Sequence, residues 1–237
     1  MRISANGIQL NYQASGPADA PTVVMSHSLA ATNAMWDPQM DVLKDYRVIR
    51  YDMRGHGESD APDMDYSLEM LADDLLGLMD ALEIDRTPYI GLSMGGFASL
   101  HFGLNFSEMA LSCVVAGCGY GAGGDRDQWR QETAEIAQRF IDLGMEGVSS
   151  FYAYGPTRVQ FENKDPRGFA AFVKRFNEHS PLGCANTFIG VQGERPSLYD
   201  LQEGMAKMTM PVYIMTGDED EPCLDPNLMM KRTIPMS

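Results

Sequence analysis

Apolar positions recur along the chain in two different periods. Five short runs are apolar on nearly consecutive positions: Thr22–Ser26, Arg47–Tyr51, Pro88–Leu92, Leu111–Ala116 and Val212–Thr216. That pattern predicts strands covered on both faces, as in a parallel sheet. Ile3–Ala14 reads as two strands around Asn6-Gly7, a dipeptide suited to a tight hairpin turn. Between the runs the spacing lengthens. Leu68, Leu71, Leu75, Leu78, Met79 and Leu82 recur every three or four residues, which predicts a helix behind Ser67 as N-cap. Gly95–Leu104 reads as a helix opening straight out of a strand. Strand and helix alternating in this way predict a mostly parallel sheet with helices on both faces.

From Gly119 to Met208 the strand pattern stops. Asp127–Leu143 is helical and ends at Gly144, a residue suited to the left-handed turn after a helix. Asp165-Pro166 opens a second helix, with proline at the first helical position, running to about Glu178. Pro181 and Pro196 punctuate the remainder. The predicted organisation is a core of residues 1–119 and 208–237, interrupted by a helical segment over 120–207.

Composition narrows the function classes. With 18 basic and 33 acidic residues, the 237-residue chain carries a net charge of −15. It lacks the basic stripe that nucleic-acid phosphates require, and an anionic membrane surface would repel it. The acidity is uneven: residues 120–205 carry a net −3 and the remainder −12. No apolar run reaches the roughly 18–20 residues of a membrane span. The N-terminus lacks the apolar stretch of a secretory signal, so a soluble, cytoplasmic protein is expected. Cys113, Cys118, Cys184 and Cys223 form no metal-ligand spacing and read as buried free thiols. The 18 methionines scatter outside the middle of the chain, as core filler would, whereas an adaptable binding surface would gather them.

The chemistry sits at strand ends. Gly91-Leu92-Ser93-Met94-Gly95-Gly96 is G-x-S-x-G placed after a strand and before a helix. Such a turn forces Ser93 into a strained conformation, and side chains two residues either side would collide. The serine hydroxyl is then presented as a nucleophile near the positive end of the helix. Ser26-His27-Ser28-Leu29 ends the Thr22 strand, where the N–H of Leu29 can join that of Met94 in an oxyanion hole. Asp52-Met53-Arg54-Gly55-His56-Gly57-Glu58-Ser59 reads as a structural turn in which Asp52 pairs with Arg54. Gly217-Asp218-Glu219-Asp220 follows the Val212 strand, and Asp220 is preferred over Asp218 as the acid that orients a catalytic imidazole.

These motifs, together with Met35-Trp36-Asp37-Pro38-Gln39, resemble the α/β-hydrolase superfamily, and within it the 3-oxoadipate enol-lactonase-like branch. The resemblance spans nearly the whole chain, strongly in the sheet core and weakly in the helical segment, which is similar to the family's lid. It implies a serine hydrolase of small-molecule carboxylic esters or lactones, needing neither metal nor organic cofactor. The nucleophile falls on Ser93, the acid on Asp220, and the oxyanion amides on Leu29 and Met94. An enol-lactone with a pendant carboxylate needs a nearby cation, for which Arg130, Arg158, Arg167, Arg175 and Arg195 are candidates. The lid aromatics Trp129, Phe151, Tyr152, Tyr154, Phe161, Phe169, Phe172 and Phe176 suit a pocket roof and the lid's own core.

Two features depart from the family. Its usual His-Gly before the oxyanion loop is His27-Ser28 here. The triad histidine is absent: only His27, His56, His101 and His179 exist, and only 17 residues follow Asp220. The expectation is a chain shortened at its C-terminus, without the last strand, the histidine loop and the last helix. It should turn over poorly, with the Val212 strand left unpaired on its outer edge. Rival readings keep the scaffold and change the chemistry. They are a carbon–carbon bond hydrolase, a perhydrolase, or a ligand-binding receptor without turnover.

Overall fold

The computed structural model describes residues 1–121 and 125–237. Seven strands form one sheet in the order β1-β2-β4-β3-β5-β6-β7. They are β1 (Arg2–Ala5), β2 (Ile8–Ser15), β3 (Thr22–Ser26), β4 (Arg47–Tyr51), β5 (Thr87–Leu92), β6 (Ala110–Ala116) and β7 (Val212–Met215). β1 and β2 pair antiparallel around Asn6 and Gly7, both at positive φ as that turn requires. From β4 onward across the sheet every pairing is parallel. Leu10, Val24, Ile49, Tyr89 and Val115 have no exposed surface, which is why the strands read as continuous apolar runs. Each such side chain contributes roughly 1.5–3 kcal/mol by leaving water.

Helices α1 (Leu68–Ala81) and α2 (Met94–Asn105) flank the sheet. Ser67 caps α1 by accepting the N–H of Met70 at 3.2 Å, and the apolar stripe of α1 faces the core. Between β6 and β7 the described residues form helices and turns only. These are α3 (Arg126–Tyr152), α4 (Val159–Lys164), α5 (Pro166–Asn177), α6 (Pro181–Asn186), a π-helical turn (Thr187–Gln192) and α7 (Gln202–Met205). Gly144 interrupts α3 at φ 65°, the expected stop, but a second helical stretch follows at once to Tyr152. Phe140, Tyr152, Phe176 and Phe188 pack with ring centroids 5.4–6.4 Å apart, giving this segment a core of its own. It seats against the segment between β4 and α1, where backbones meet. A Cβ on Gly183 would overlap the carbonyl of Gly55, and one on Gly190 that of Tyr66.

The registers decide what meets at the sheet's edge. Ser26 aligns with Gly91, Leu92 with Ala116, and Ala116 with Met215. The loops after β3, β5, β6 and β7 therefore emerge side by side. The four cysteines are free and buried, and nine methionines lie in the core, as expected.

One expectation about the C-terminal stretch needs correction. Helix α8 spans Glu221–Thr233, with Pro226 inside it. The outer edge of β7 is not wholly bare. The chain turns back after α8, and the Val212 N–H donates to the carbonyl of Met236 at 2.8 Å. Tyr213 and Met215 stay exposed.

Candidate active site

Ser93 joins β5 to α2 at φ 56° and ψ −113°, a region that L-residues rarely occupy. Its N–H donates to Ala116 O at 2.7 Å, fastening the turn to β6. The flanking glycines are there for space. A Cβ on Gly91 would overlap Gly95 O, one on Gly95 would lie 2.6 Å from Ser26 O, and one on Gly96 2.7 Å from Ala116 O. The hydroxyl caps no N–H of its own helix, so it remains available at the positive end of α2.

Met94 is the first residue of α2, so its N–H has no intrahelical acceptor. Leu29 lies in the loop after β3, where Ala30 holds a positive φ of 53° and the Ala31 N–H donates to Ser28 O at 3.1 Å. Among the described residues neither the Leu29 nor the Met94 N–H has an acceptor. Asp220 caps α8 at the end of the loop after β7, and one of its oxygens lies 4.0 Å from where a Gly117 Cβ would stand. That places the carboxylate beside the end of β6, next to the Ser93 turn.

The four histidines are engaged elsewhere. His27 donates Nδ1–H to Ser28 O at 2.7 Å and accepts the Met53 N–H at Nε2 at 2.8 Å. Burial pulls its pKa down to about 4, against the opposing field of Asp52. His56 donates Nδ1–H to Arg54 O at 3.0 Å, and burial holds its pKa well below the usual value. His179 faces carbonyls with both nitrogens. His101 stacks on Phe97 with ring centroids 5.0 Å apart. None hydrogen-bonds to Ser93 or Asp220 among the described residues.

The expected Asp52–Arg54 pair does not form. Arg54 is paired with Asp74 of α1 through Nε and Nη2 at 2.9 and 2.7 Å. Asp52 instead accepts from the backbone and side chain of Asn33, from the Asn11 side chain and from the Glu58 N–H. Both carboxylates still serve structure: Asp52 ties the loop after β3 to its neighbours, and Asp74 neutralises a buried guanidinium. Sequence spacing favours the local partner, and no pattern in the sequence points to one on α1.

A cavity of about 420 Å³ opens beside the turn, lined by Ser28, Ala30, Leu92 and Asp37 on the sheet side, where Asp37 is paired with Arg50, and by Arg158, Phe161, Asp165, Phe172 and Arg175 on the helical side. Arg158 donates to Tyr152 O at 3.1 Å and stacks on Tyr152 and Phe172. Arg175 has no anionic partner among the described residues. The other candidate arginines lie elsewhere. Arg130 pairs with Glu194, Arg167 is exposed, and Arg195 lies over Phe97 and Trp129. Asp220 lines a separate hollow of about 250 Å³. A slightly larger cavity of about 480 Å³ is lined by Glu69, Asp73 and His101; Ser93, Leu29 and Met94 line neither cavity, but Leu92 and Ser28, their chain neighbours, line the 420 Å³ one. The described residues include no cluster of side chains able to hold a metal ion.

Residues 21–222 match the family model described as alpha/beta hydrolase fold. The chain belongs to that family. It is 29% identical over 224 residues to 3-oxoadipate enol-lactonase 1 of Acinetobacter baylyi, covering 93% of this chain and 79% of the relative. The crystal structure of the enol-lactonase from Burkholderia xenovorans LB400 superposes with a TM-score of 0.86 at 26% identity, covering 99% of this chain and 88% of that one. A thermophilic esterase from Thermogutta terrifontis shares the fold, with a TM-score of 0.85 at 24% identity over 100% and 87% of the two chains. The hydrolase fold and the likeness to enol-lactonases thus stand on the sequence comparisons as well as on the geometry. No helix among the described residues is long and apolar enough to cross a membrane.

Proposed function

We propose that this protein is a serine hydrolase of carboxylic esters or lactones, with Ser93 as nucleophile. The observation that carries the reading is the Ser93 turn itself, a strained left-handed serine beside two unengaged N–H groups. Ser93 Oγ attacks the carbonyl carbon, and the developing oxyanion is received by the Leu29 and Met94 N–H groups. The serine proton passes by way of solvent to the departing oxygen, which leaves the carbonyl carbon as an alcohol or as the opened lactone's hydroxyl while the acyl-enzyme forms; water then frees the acid and returns a proton to Ser93 Oγ. Asp220 is the carboxylate that would orient the general base. Residues 120–207 form the lid, and the 420 Å³ cavity takes the acyl group. Arg158 and Arg175 make that cavity suited to an acyl chain bearing a carboxylate.

The base is the missing part. No imidazole hydrogen-bonds to Ser93 among the described residues. Acylation of Ser93 is therefore slow in this chain, driven by the oxyanion hole and by binding, which alone supply roughly 10³–10⁴-fold over water in serine hydrolases. A fluorophosphonate should label Ser93 slowly, no label should appear in Ser93→Ala, and 4-nitrophenyl acetate should turn over well below about 1 s⁻¹. Labelling that persists in Ser93→Ala overturns the nucleophile, and faster turnover that depends on Ser93 overturns the missing base. That no described imidazole hydrogen-bonds to Ser93 favours one second reading, a ligand-binding protein without turnover. Reversible ester binding with no modification of Ser93 would select it.

A further inference from the structure

His179 has no part in the chemistry above, yet it is one of the most tightly held side chains in the molecule. It lies just beyond the end of α5, is 5% exposed, and faces a backbone carbonyl with each ring nitrogen. Nδ1 is 2.7 Å from Arg175 O, one turn back on the same helix. Nε2 is 3.0 Å from Ala31 O, 148 residues away in sequence. A carbonyl only accepts, so the bond to Ala31 requires a proton on Nε2.

Ala31 belongs to the loop that carries the Leu29 N–H. Ala30 is left-handed at φ 53°, and Ala31 closes the turn onto Ser28. A non-glycine residue in that conformation persists only where its neighbours hold it. From below, the loop is held by Asp52, which accepts the N–H and side chain of Asn33. From above, it is held by His179. Arg175 of the same helical turn lines the 420 Å³ cavity, and its carbonyl lies 2.7 Å from Nδ1.

We propose that His179 is a positioning residue: its Nε2–H, donated to Ala31 O, ties α5 of the lid to the oxyanion loop and keeps the Leu29 N–H aimed at the reacting oxygen. This rests on the hydrolase reading for its purpose, though the tether is a structural claim that can be tested without it. Lid seating and oxyanion-hole geometry become one event, because a lid that lifts withdraws the donor that holds the loop.

Nitrogen-15 spectra of the wild-type chain test the bond directly, with no variant needed. Nε2 of His179 should carry a proton, and an unprotonated Nε2 overturns the proposal. Hydrogen exchange then tests the consequence. In His179→Leu the amides of residues 28–33 should exchange about tenfold faster while those of 166–177 keep their protection. His179→Gln, which retains a side-chain N–H donor, should restore the loop, and the rate of Ser93 phosphonylation should fall and recover in parallel. Unchanged loop exchange in His179→Leu, or loss of protection across the whole lid that Gln does not repair, removes the tether. If wild-type Ser93 does not react with the phosphonate, the hydrolase reading falls, and with it the catalytic purpose of the tether. Intact labelling with an unaltered loop removes the tether alone.

Discussion

The backbone N–H of Met53 donates to Nε2 of His27 at 2.8 Å, and that bond fixes the protonation state of the imidazole at the start of the loop after β3. A nitrogen that accepts an amide proton carries none of its own, so His27 is neutral with its proton on Nδ1, given to Ser28 O. Protonating it would break a buried hydrogen bond and place a charge out of reach of water.

Stability should therefore depend on pH in a defined direction. His27 has a folded pKa of about 4 against 6.5 when exposed. The unfolded chain binds the extra proton between those values, so stability is full above about pH 6.5 and falls by about 3 kcal/mol as pH drops toward 4. His56 adds to the slope in the same direction. Urea unfolding midpoints across that window should show a smaller slope in His27→Gln than in the wild type. Equal slopes would mean that His27 titrates normally in the fold.

Gly95→Ala should disable the Ser93 turn. The added methyl would lie 2.6 Å from both Ser26 O and Ser26 Oγ and 2.7 Å from His27 O, atoms of a packed strand end that cannot swing aside. A cost of roughly 2–3 kcal/mol is expected, with loss of phosphonate labelling at Ser93. Thermal unfolding and mass spectrometry of the labelled protein check the two halves separately. A variant of wild-type stability would show that the turn tolerates a side chain.

Arg158 and Arg175 should make the cavity prefer anionic acyl groups. Monomethyl adipate should bind about tenfold more tightly than dimethyl adipate, the margin expected of one charge-assisted hydrogen bond. Calorimetry on Arg175→Gln and Arg158→Gln should show that margin shrinking while the diester affinity holds. A margin that survives both substitutions would place the anion elsewhere.

The sheet is legible in the sequence because a strand buried on both faces leaves a local mark, a continuous apolar run. β3 and β4 fall on the residues that pattern names. Ser93 is legible for a related reason: its glycines answer a steric demand made within a few residues. The partner of Arg54 is not legible, because a charge pair leaves no periodic trace and Asp74 sits 20 positions away on another element. His179 likewise reads as one isolated residue of the helical segment.

Fold class, the order of strands and helices, and the turn that exposes Ser93 follow from the amino-acid order alone, since each rests on periodicity or on sterics over a few residues. It takes the folded chain to show which arginines reach the cavity, that Asp220 lies beside the end of β6, and that no imidazole hydrogen-bonds to Ser93 among the described residues. Those outcomes depend on strand register and on how the helical segment seats against Gly55 and Tyr66, contacts between residues far apart in sequence that no local pattern encodes.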